Sequence, residues 1–143
     1  MKKQSLGILA LISTLGLVAG CSSARDVSLT GTVTAEAAAG DGPIRIDFYQ
    51  HESSGSSSTE PSAASDLKFV ETLPLATAGK FTHTVPIEGD KVHLVAFIDA
   101  NKDEKCTDGE AWGQTEVSIQ NDAATATVNI AAQTKCPALA LAN

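Results

Sequence analysis

Residues 91–98, KVHLVAFI, are the stretch of sequence that decides the fold. Their Val, Leu, Phe and Ile side chains favour a β-strand, and towards its end both faces of that strand are apolar. Such a strand is typical of the centre of a sheet that is covered on both sides. The polar sequences beside it, IEGD at 87–90 and an acidic run after residue 98, are typical of turns and loops.

Six other segments carry strand patterns with turn sequences between them. In the first of them Val27, Leu29 and Val33 alternate with Ser and Thr, which is the period of a half-buried strand. Helical periodicity is absent outside the first twenty residues. The predicted strands are 27–35, 44–49, 67–75, 80–87, 91–99, 114–119 and 124–131. Seven short strands predict an all-β fold, an antiparallel β-sandwich.

Three motifs carry a resemblance to a known family. They are VSLTGTV at 27–33, GKFTHTVP at 79–86 and KVHLVAFIDAN at 91–101. Together they resemble the prealbumin-like β-sandwich modules of the carboxypeptidase-regulatory type. The resemblance implies a sandwich of about seven strands in an accessory domain that binds, braces or assembles, and that rarely catalyses.

The amino terminus has the pattern of an export signal. Lys2 and Lys3 precede an apolar stretch too short to span a bilayer, and Val-Ala-Gly then leads to Cys21. This resembles the bacterial lipobox, which implies cleavage after residue 20 and a covalent lipid on Cys21. The alternative is an ordinary signal peptide followed by a chance cysteine. Ser22 and Ser23 stand where lipoproteins retained at the inner membrane often carry Asp, so the expected location is the outer membrane.

The expected mature chain therefore begins with a lipidated tether at 21–26. A β-sandwich domain follows at 27–136, and residues 137–143 form a C-terminal tail. Within the domain, HESSGSSSTEPSAAS at 51–65 is too polar to pack and is interpreted as a flexible Ser-rich loop.

Composition excludes some functions. The chain has 10 Lys and Arg against 17 Asp and Glu, and loss of Lys2 and Lys3 moves its formal charge from −7 to −9. Such a surface repels polyanions, so nucleic acid is not an expected partner. Serines are concentrated at 53–58, in the Ser-rich loop, without a G-x-S-x-G elbow or a positioned base. We therefore expect no enzyme.

Two cysteines remain once Cys21 carries lipid. Export brings Cys106 and Cys136 into an oxidising compartment, which favours a disulfide between them. The alternative is a pair of zinc ligands completed by histidines, although no C-x-x-C pair is present.

The run FIDANKDEKCTDGEAW at 97–112 has the oxygen spacing of a calcium loop. It also resembles the D-x-N-x-D-G loops of some bacterial β-sandwich proteins. The sixth position departs from that pattern, because Glu104 stands where a sharp turn normally has Gly. The alternative is a solvated acidic hairpin tip that binds no ion. The predicted ligands are Asp99, Asn101, Asp103, the Lys105 carbonyl, Thr107 and Glu110.

Two further hypotheses concern single side chains. Trp112, with Tyr49 and the acidic loop, is a candidate platform for a carbohydrate or another small ligand, the alternative being a packing role. His83 and His93 would face each other if their strands formed a hairpin about Glu88, which would begin a transition-metal site.

The function expected from the sequence is that of a non-catalytic, membrane-anchored envelope lipoprotein. It would act structurally or by contacting an envelope protein that the sequence does not identify. The alternatives are a carbohydrate- or small-ligand-binding module and a periplasmic metal-handling protein.

Overall fold

A computed structural model describes residues 23–51, 67–133 and 135–140. The expected signal peptide, Cys21 and residues 52–65 of the Ser-rich loop lie outside the described residues. No helix in the described part of the chain is long and apolar enough to cross a membrane.

The described residues form seven β-strands, the number that the sequence predicts. They are β1 Arg25–Ala35, β2 Ile44–His51, β3 Leu67–Leu75, β4 Gly79–Ile87, β5 Lys91–Ile98, β6 Trp112–Ser118 and β7 Ala123–Ile130. A single 3-10 turn, Ala37–Ala39, joins β1 to β2. Each predicted boundary lies within two residues of the observed one. The largest differences are of two residues: β1 and β6 begin two residues earlier than predicted, and β2 ends two residues later.

The strands pair in two sheets. Sheet A has the order β4-β1-β7, and sheet B has the order β3-β2-β5-β6. The all-β sandwich prediction is confirmed, and β5 lies between two neighbours as its apolar sequence indicates. All pairs are antiparallel except β1 and β7, which run parallel. β7 lies on the side of β1 opposite to β4.

The main core fills the space between the two sheets. Each strand contributes alternate side chains, so that β1 turns Val27, Leu29 and Val33 inward and its hydroxyl side chains outward. The other fully buried members include Ile46, Phe48, Val85, Ile87, Val92, Leu94, Ala96, Val128 and Ile130.

A second, smaller core lies on the outer face of sheet B. There Tyr49, Val95 and Phe97 point away from sheet A and are at most 1 % exposed. They are covered by residues from the acidic loop, from the start of β6 and from the chain after β7, among them Cys106, Trp112, Cys136, Leu139 and Ala140. The first residues of the predicted C-terminal tail therefore pack against the second core, through Leu139 and Ala140. This second cover explains why KVHLVAFI is apolar on both faces.

The register places the connections at two opposite ends of the sandwich. Arg25 pairs with Ile87 and Lys91 pairs with Ser118, so the start of β1 lies at the same end as residues 88–90 and 119–122. We call this the amino end. Ala35 pairs with Ile130 and Phe97 pairs with Trp112, which brings residues 36–43, 99–111, 131–133 and 135–140 together at the other end, the loop end.

Gly113 permits the close approach of β6 to β7, and Gly113→Ala should be strongly destabilising. A methyl group at Gly113 would collide with the carbonyl oxygen and carbon of Asn129, which belong to rigid backbone. We expect a loss of about 2–3 kcal/mol in the free energy of unfolding, measured by urea denaturation. Gly89→Ala is the matched control, because its added methyl meets no heavy atom closer than 3.9 Å. Equal stability of the two variants would contradict the packing argument.

Candidate functional site

The candidate site is the acidic loop at residues 99–110, which connects β5 to β6 at the loop end. Its first residue, Asp99, is fully buried, and the Nε of Arg45 donates to its Oδ2 over 2.7 Å. The Nη2 of the same guanidinium lies 2.9 Å from Oε1 of the exposed Glu104. The hydrogen bond to Asp99 and the two carboxylate charges raise the pKa of Arg45 above its ordinary value, against the effect of burial. Arg45 therefore supplies a permanent positive charge at the base of the loop.

Backbone N–H groups of the loop donate to its own side chains. The amide of Asp103 donates to Oδ1 of Asp99 over 3.1 Å and to Oδ1 of Asn101 over 3.0 Å. The amide of Glu104 donates to Oδ2 of Asp99, and that of Lys105 to Oδ1 of Asp103. These local bonds wind the chain around the three side chains, as Asp and Asn do in Asx turns.

Glu110 closes the loop at its other end. Its Oε1 accepts from the amide of Ala100 over 2.9 Å, and its Oε2 accepts from the amide of Thr107 over 2.9 Å. The side-chain amide of Asn101 bridges Asp103 and Thr107 at 3.0 and 3.1 Å. The six predicted calcium-ligand positions thus belong to a single compact hydrogen-bonded loop.

The unusual sixth position of the loop adopts the expected backbone conformation without glycine. Glu104 has φ 69°, in the left-handed region, and Lys102 has φ 62°. A left-handed conformation costs a non-glycine residue roughly 1–2 kcal/mol. The ion pair of Glu104 with Arg45, on a side chain that is 73 % exposed, offsets part of that cost.

The predicted ligands fit calcium in spacing and backbone shape but are already engaged by protein donors. Asp99 faces the guanidinium of Arg45, and both oxygens of Glu110 accept backbone bonds. Among the described residues, no three His, Cys, Asp or Glu side chains are grouped as they would be around a metal ion. Calcium binding by this loop therefore stays a prediction from the spacing of its oxygen atoms.

The predicted cysteine pair is confirmed. Cys106 and Cys136 form a disulfide with their Cα atoms 5.9 Å apart, and it closes a sequence separation of 30 residues. Near the bridge, the amide of Cys136 donates to Oδ1 of Asp108 over 3.3 Å. The acidic loop and the chain after β7 are thereby fastened to each other over the second core.

The two aromatic residues considered for ligand binding both take part in the second core. Trp112 is half-buried, and its Nε1 donates to the carbonyl of Lys135 over 2.7 Å. Tyr49 is 1 % exposed and packs edge-on against Phe69. In this arrangement the indole covers the disulfide region, and the buried phenol ring presents no platform.

The predicted pairing of His83 with His93 is wrong. The connection at residues 88–90 does not form a hairpin but crosses from sheet A to sheet B, because β4 pairs with β1 while β5 pairs with β2 and β6. His83 lies opposite Leu29, and its Nε2 lies 2.8 Å from Oε1 of Glu71. His93 lies between Tyr49 and Glu116 in the other sheet.

His93 should make the sandwich less stable in mild acid. Its Nε2 is buried without a hydrogen-bond partner, and burial lowers the pKa of His93 below its ordinary value, against a hydrogen bond with Gln114 and the charge of Glu116. Two charged groups lie nearby, Lys91 and Glu116, together with the imidazole of His51. The Glu116 carboxylate lies 2.8 Å from His51 and 2.9 Å from Lys91.

Because the folded pKa of His93 is lower, the unfolded chain binds more protons just below pH 6.5, and stability falls as the pH drops through that window. We expect thermal unfolding measured between pH 7.5 and 5.5 to show this loss. His93→Gln should reduce the slope. An unchanged slope in the variant would contradict the assignment to His93.

The sequence analysis missed Arg45, which contacts the acidic loop, and Asp47, two residues further along the same strand. Asp47 is 3 % exposed; its Oδ1 accepts from Thr72 over 2.6 Å, and burial raises the pKa of its carboxyl despite that bond. Both alternate with the inward-facing apolar residues of β2, so the sequence identifies them as outward-facing. The available signal was the neighbouring strand β5, whose two apolar faces imply that the outer face of sheet B is covered.

Comparison with known proteins leaves the family resemblance untested, since no known family matches the chain and no curated protein matches it.

Proposed function

We propose that the chain is a non-catalytic lipoprotein of the bacterial outer membrane, whose loop end contacts an envelope protein. The export signal and Cys21 support the lipid anchor, since multiple acyl chains give stable attachment without a transmembrane helix. The proposal rests chiefly on the polarity of the fold, because the amino end and the loop end lie at opposite ends of the sandwich.

This polarity determines which surface would face away from the membrane. Only three residues separate Cys21 from the start of β1, and β1 has 11 residues, which span roughly 36 Å in a strand. A lipid on Cys21 would therefore hold the amino end near the bilayer and the acidic loop far from it. The negative charge of that loop favours the same orientation, because anionic headgroups repel it.

The anchor is tested by Cys21→Ser. We expect the unchanged protein to incorporate labelled palmitate and to sediment with the outer membrane. The variant should lose the label and appear in the soluble periplasmic fraction. A variant that keeps its membrane association would contradict the lipid anchor.

The partner is tested by site-specific photocrosslinking in intact cells. A photoreactive residue at Lys105, exposed at the loop end, should give a discrete adduct with an envelope protein. The same residue at Asp90, exposed at the amino end, is the matched control and should give none. Adducts from Asp90 alone, or from neither position, would contradict the assignment of the loop end.

Calcium belongs to the proposal as a stabiliser of the loop. A weak site of the extracellular type, with a dissociation constant of roughly 0.1–1 mM, would suit a compartment in which free calcium is high. The residues that would hold the ion are Asp99, Asn101, Asp103, the Lys105 carbonyl, Thr107 and Glu110. Its role there would be to neutralise the carboxylates and brace the loop.

Thermal unfolding with millimolar calcium and with a chelator tests this stabilisation. Ligand binding to the folded state should raise the melting temperature in calcium. Asp103→Asn should abolish the shift while keeping the shape of the side chain, and Asp90→Asn at the amino end should preserve it. An equal shift in both variants, or none in the unchanged protein, would mean that the loop is acidic without being a calcium site.

A further inference from the structure

The outer face of sheet A carries a two-dimensional array of hydroxyl groups. We define the threonine face as the outward residues 28, 30, 32 and 34 of β1, 80, 82 and 84 of β4, and 123, 125, 127 and 129 of β7. Seven of them are threonines, namely Thr30, Thr32, Thr34, Thr82, Thr84, Thr125 and Thr127. Thr32 is partly exposed and the other six are exposed.

The register aligns these residues in ranks across the three strands. Thr30 lies between Thr82 and Thr125, and Thr32 lies between Lys80 and Thr127. Neighbouring members of a rank are side by side, since the hydroxyl oxygens of Thr30 and Thr125 are 3.4 Å apart. Positions repeat at roughly 4.8 Å across the strands and roughly 6.7 Å along them.

The threonine face has almost no charge, in a chain with 17 Asp and Glu. Its one charged residue is Lys80, on the edge strand β4, and the acidic Asp26 and Glu36 stand just beyond its two ends. The strands of sheet B, in contrast, carry Arg45, Asp47 and Glu116. β-branched threonine side chains are stiff at χ1, so the hydroxyl and methyl groups keep their positions on the sheet.

Most kinds of ligand do not match such a surface. Its footprint is roughly 300–400 Å², below the roughly 800 Å² that each partner contributes to a stable protein interface. It offers no aromatic anchor for a protein or a sugar. The cavity that borders it at Ala123 and Thr125 has a volume of about 220 Å³, smaller than the roughly 300–1,000 Å³ of small-molecule sites. Its lack of carboxylates gives a cation nothing to bind.

We propose that the threonine face binds ice. Ice presents a periodic, uncharged array of water molecules whose spacings are of the same scale as those between strands and between alternate residues. Threonine hydroxyls hydrogen-bond to such waters while their methyl groups fill the gaps between them, and no tightly hydrated carboxylate interrupts the contact. The right-handed twist of the sheet limits the matched area to the central ranks, those of Thr30 and Thr32. This inference does not depend on the lipid anchor or on the loop end.

The test uses residues 21–143 with Cys21→Ser, which contain every residue of both cores. Thermal hysteresis and inhibition of ice recrystallisation are measured for this chain and for Thr30→Lys, Thr125→Lys and Thr77→Lys. We expect the unchanged face to show both activities and the first two variants to lose them. Thr77 lies in the exposed turn before β4 and is not a member of the threonine face, so Thr77→Lys should keep both activities. Circular dichroism and melting temperature confirm that each variant is folded.

Three results would overturn the proposal. The unchanged chain could show neither activity, which would make the threonines ordinary strand formers on a solvated face. Thr77→Lys could lose as much activity as Thr30→Lys, which would place the ice contact elsewhere. Sedimentation velocity could show a dimer that Thr30→Lys dissociates, which would make the face an interface between two copies of the chain.

Discussion

Replacing Cys136 with serine is expected to lower the free energy of unfolding by about 3–4 kcal/mol. The lost bridge closes a separation of 30 residues, so the unfolded chain gains much conformational freedom when it is removed. The folded state is affected too, because the bridge joins the two segments that cover Tyr49, Val95 and Phe97. The measurement is urea denaturation of residues 21–143 carrying Cys21→Ser.

The fluorescence of Trp112, the only tryptophan, locates the effect. The indole of Trp112 packs against the second core. In Cys136→Ser its emission should therefore shift to longer wavelength at urea concentrations that leave the far-UV circular dichroism unchanged. Reduction of the unchanged chain should reproduce the variant, and reduction of a chain lacking both Cys106 and Cys136 should change nothing. If Cys136→Ser lowers the free energy of unfolding by less than about 1 kcal/mol, well short of the value expected for a disulfide, the two covering segments stay packed on the second core without the bridge.

The sequence predicts the elements of this fold well because each strand alternates clearly. Along residues 27–34 of β1 and 124–130 of β7, apolar or small side chains alternate with polar ones, and only a half-buried strand has that period. The pairing of β7 with β1 could not be predicted, since alternation identifies the buried face of a strand and not its neighbour. The wrong pairing of His83 with His93 has the same origin. A short polar turn such as 88–90 serves a hairpin or a crossing between sheets equally well.

The candidate site was predicted in part. Asp99, Asn101 and Asp103 are close in sequence, and their side chains accept hydrogen bonds from backbone amides of the same loop, as in Asx turns. The sequence could therefore predict this part of the site. Arg45 comes from a strand 54 residues earlier in the chain than Asp99, and no local pattern connects them. Its contact depends on β2 and β5 being neighbours, with Arg45 opposite Phe97. The charge balance of the loop is therefore a tertiary property, although its backbone shape is a local one.

Arg45→Met should destabilise the protein by about 3 kcal/mol, because it leaves the Asp99 carboxylate buried without its counter-ion. Met keeps much of the length and apolar contact of the arginine stem, so the loss reports the charge. Glu104→Gln is the matched control. It removes the charge of the second carboxylate paired with the same guanidinium, on a side chain that is 73 % exposed, and should cost less than about 1 kcal/mol. Asp99→Asn added to Arg45→Met should recover part of the stability, because the amide needs no counter-ion.

The same variant distinguishes the two interpretations of the acidic loop. In the unchanged protein the guanidinium already neutralises Asp99, and a calcium ion would bind beside that positive charge. If the loop is a calcium site, removing Arg45 strengthens the attraction, and millimolar calcium should raise the melting temperature of Arg45→Met more than that of the unchanged protein. If calcium does not raise the melting temperature of Arg45→Met, the guanidinium of Arg45 is itself the cation that the carboxylates of the loop bind. The calcium-type spacing would then serve only to aim backbone amides at Asp99, Asn101 and Asp103.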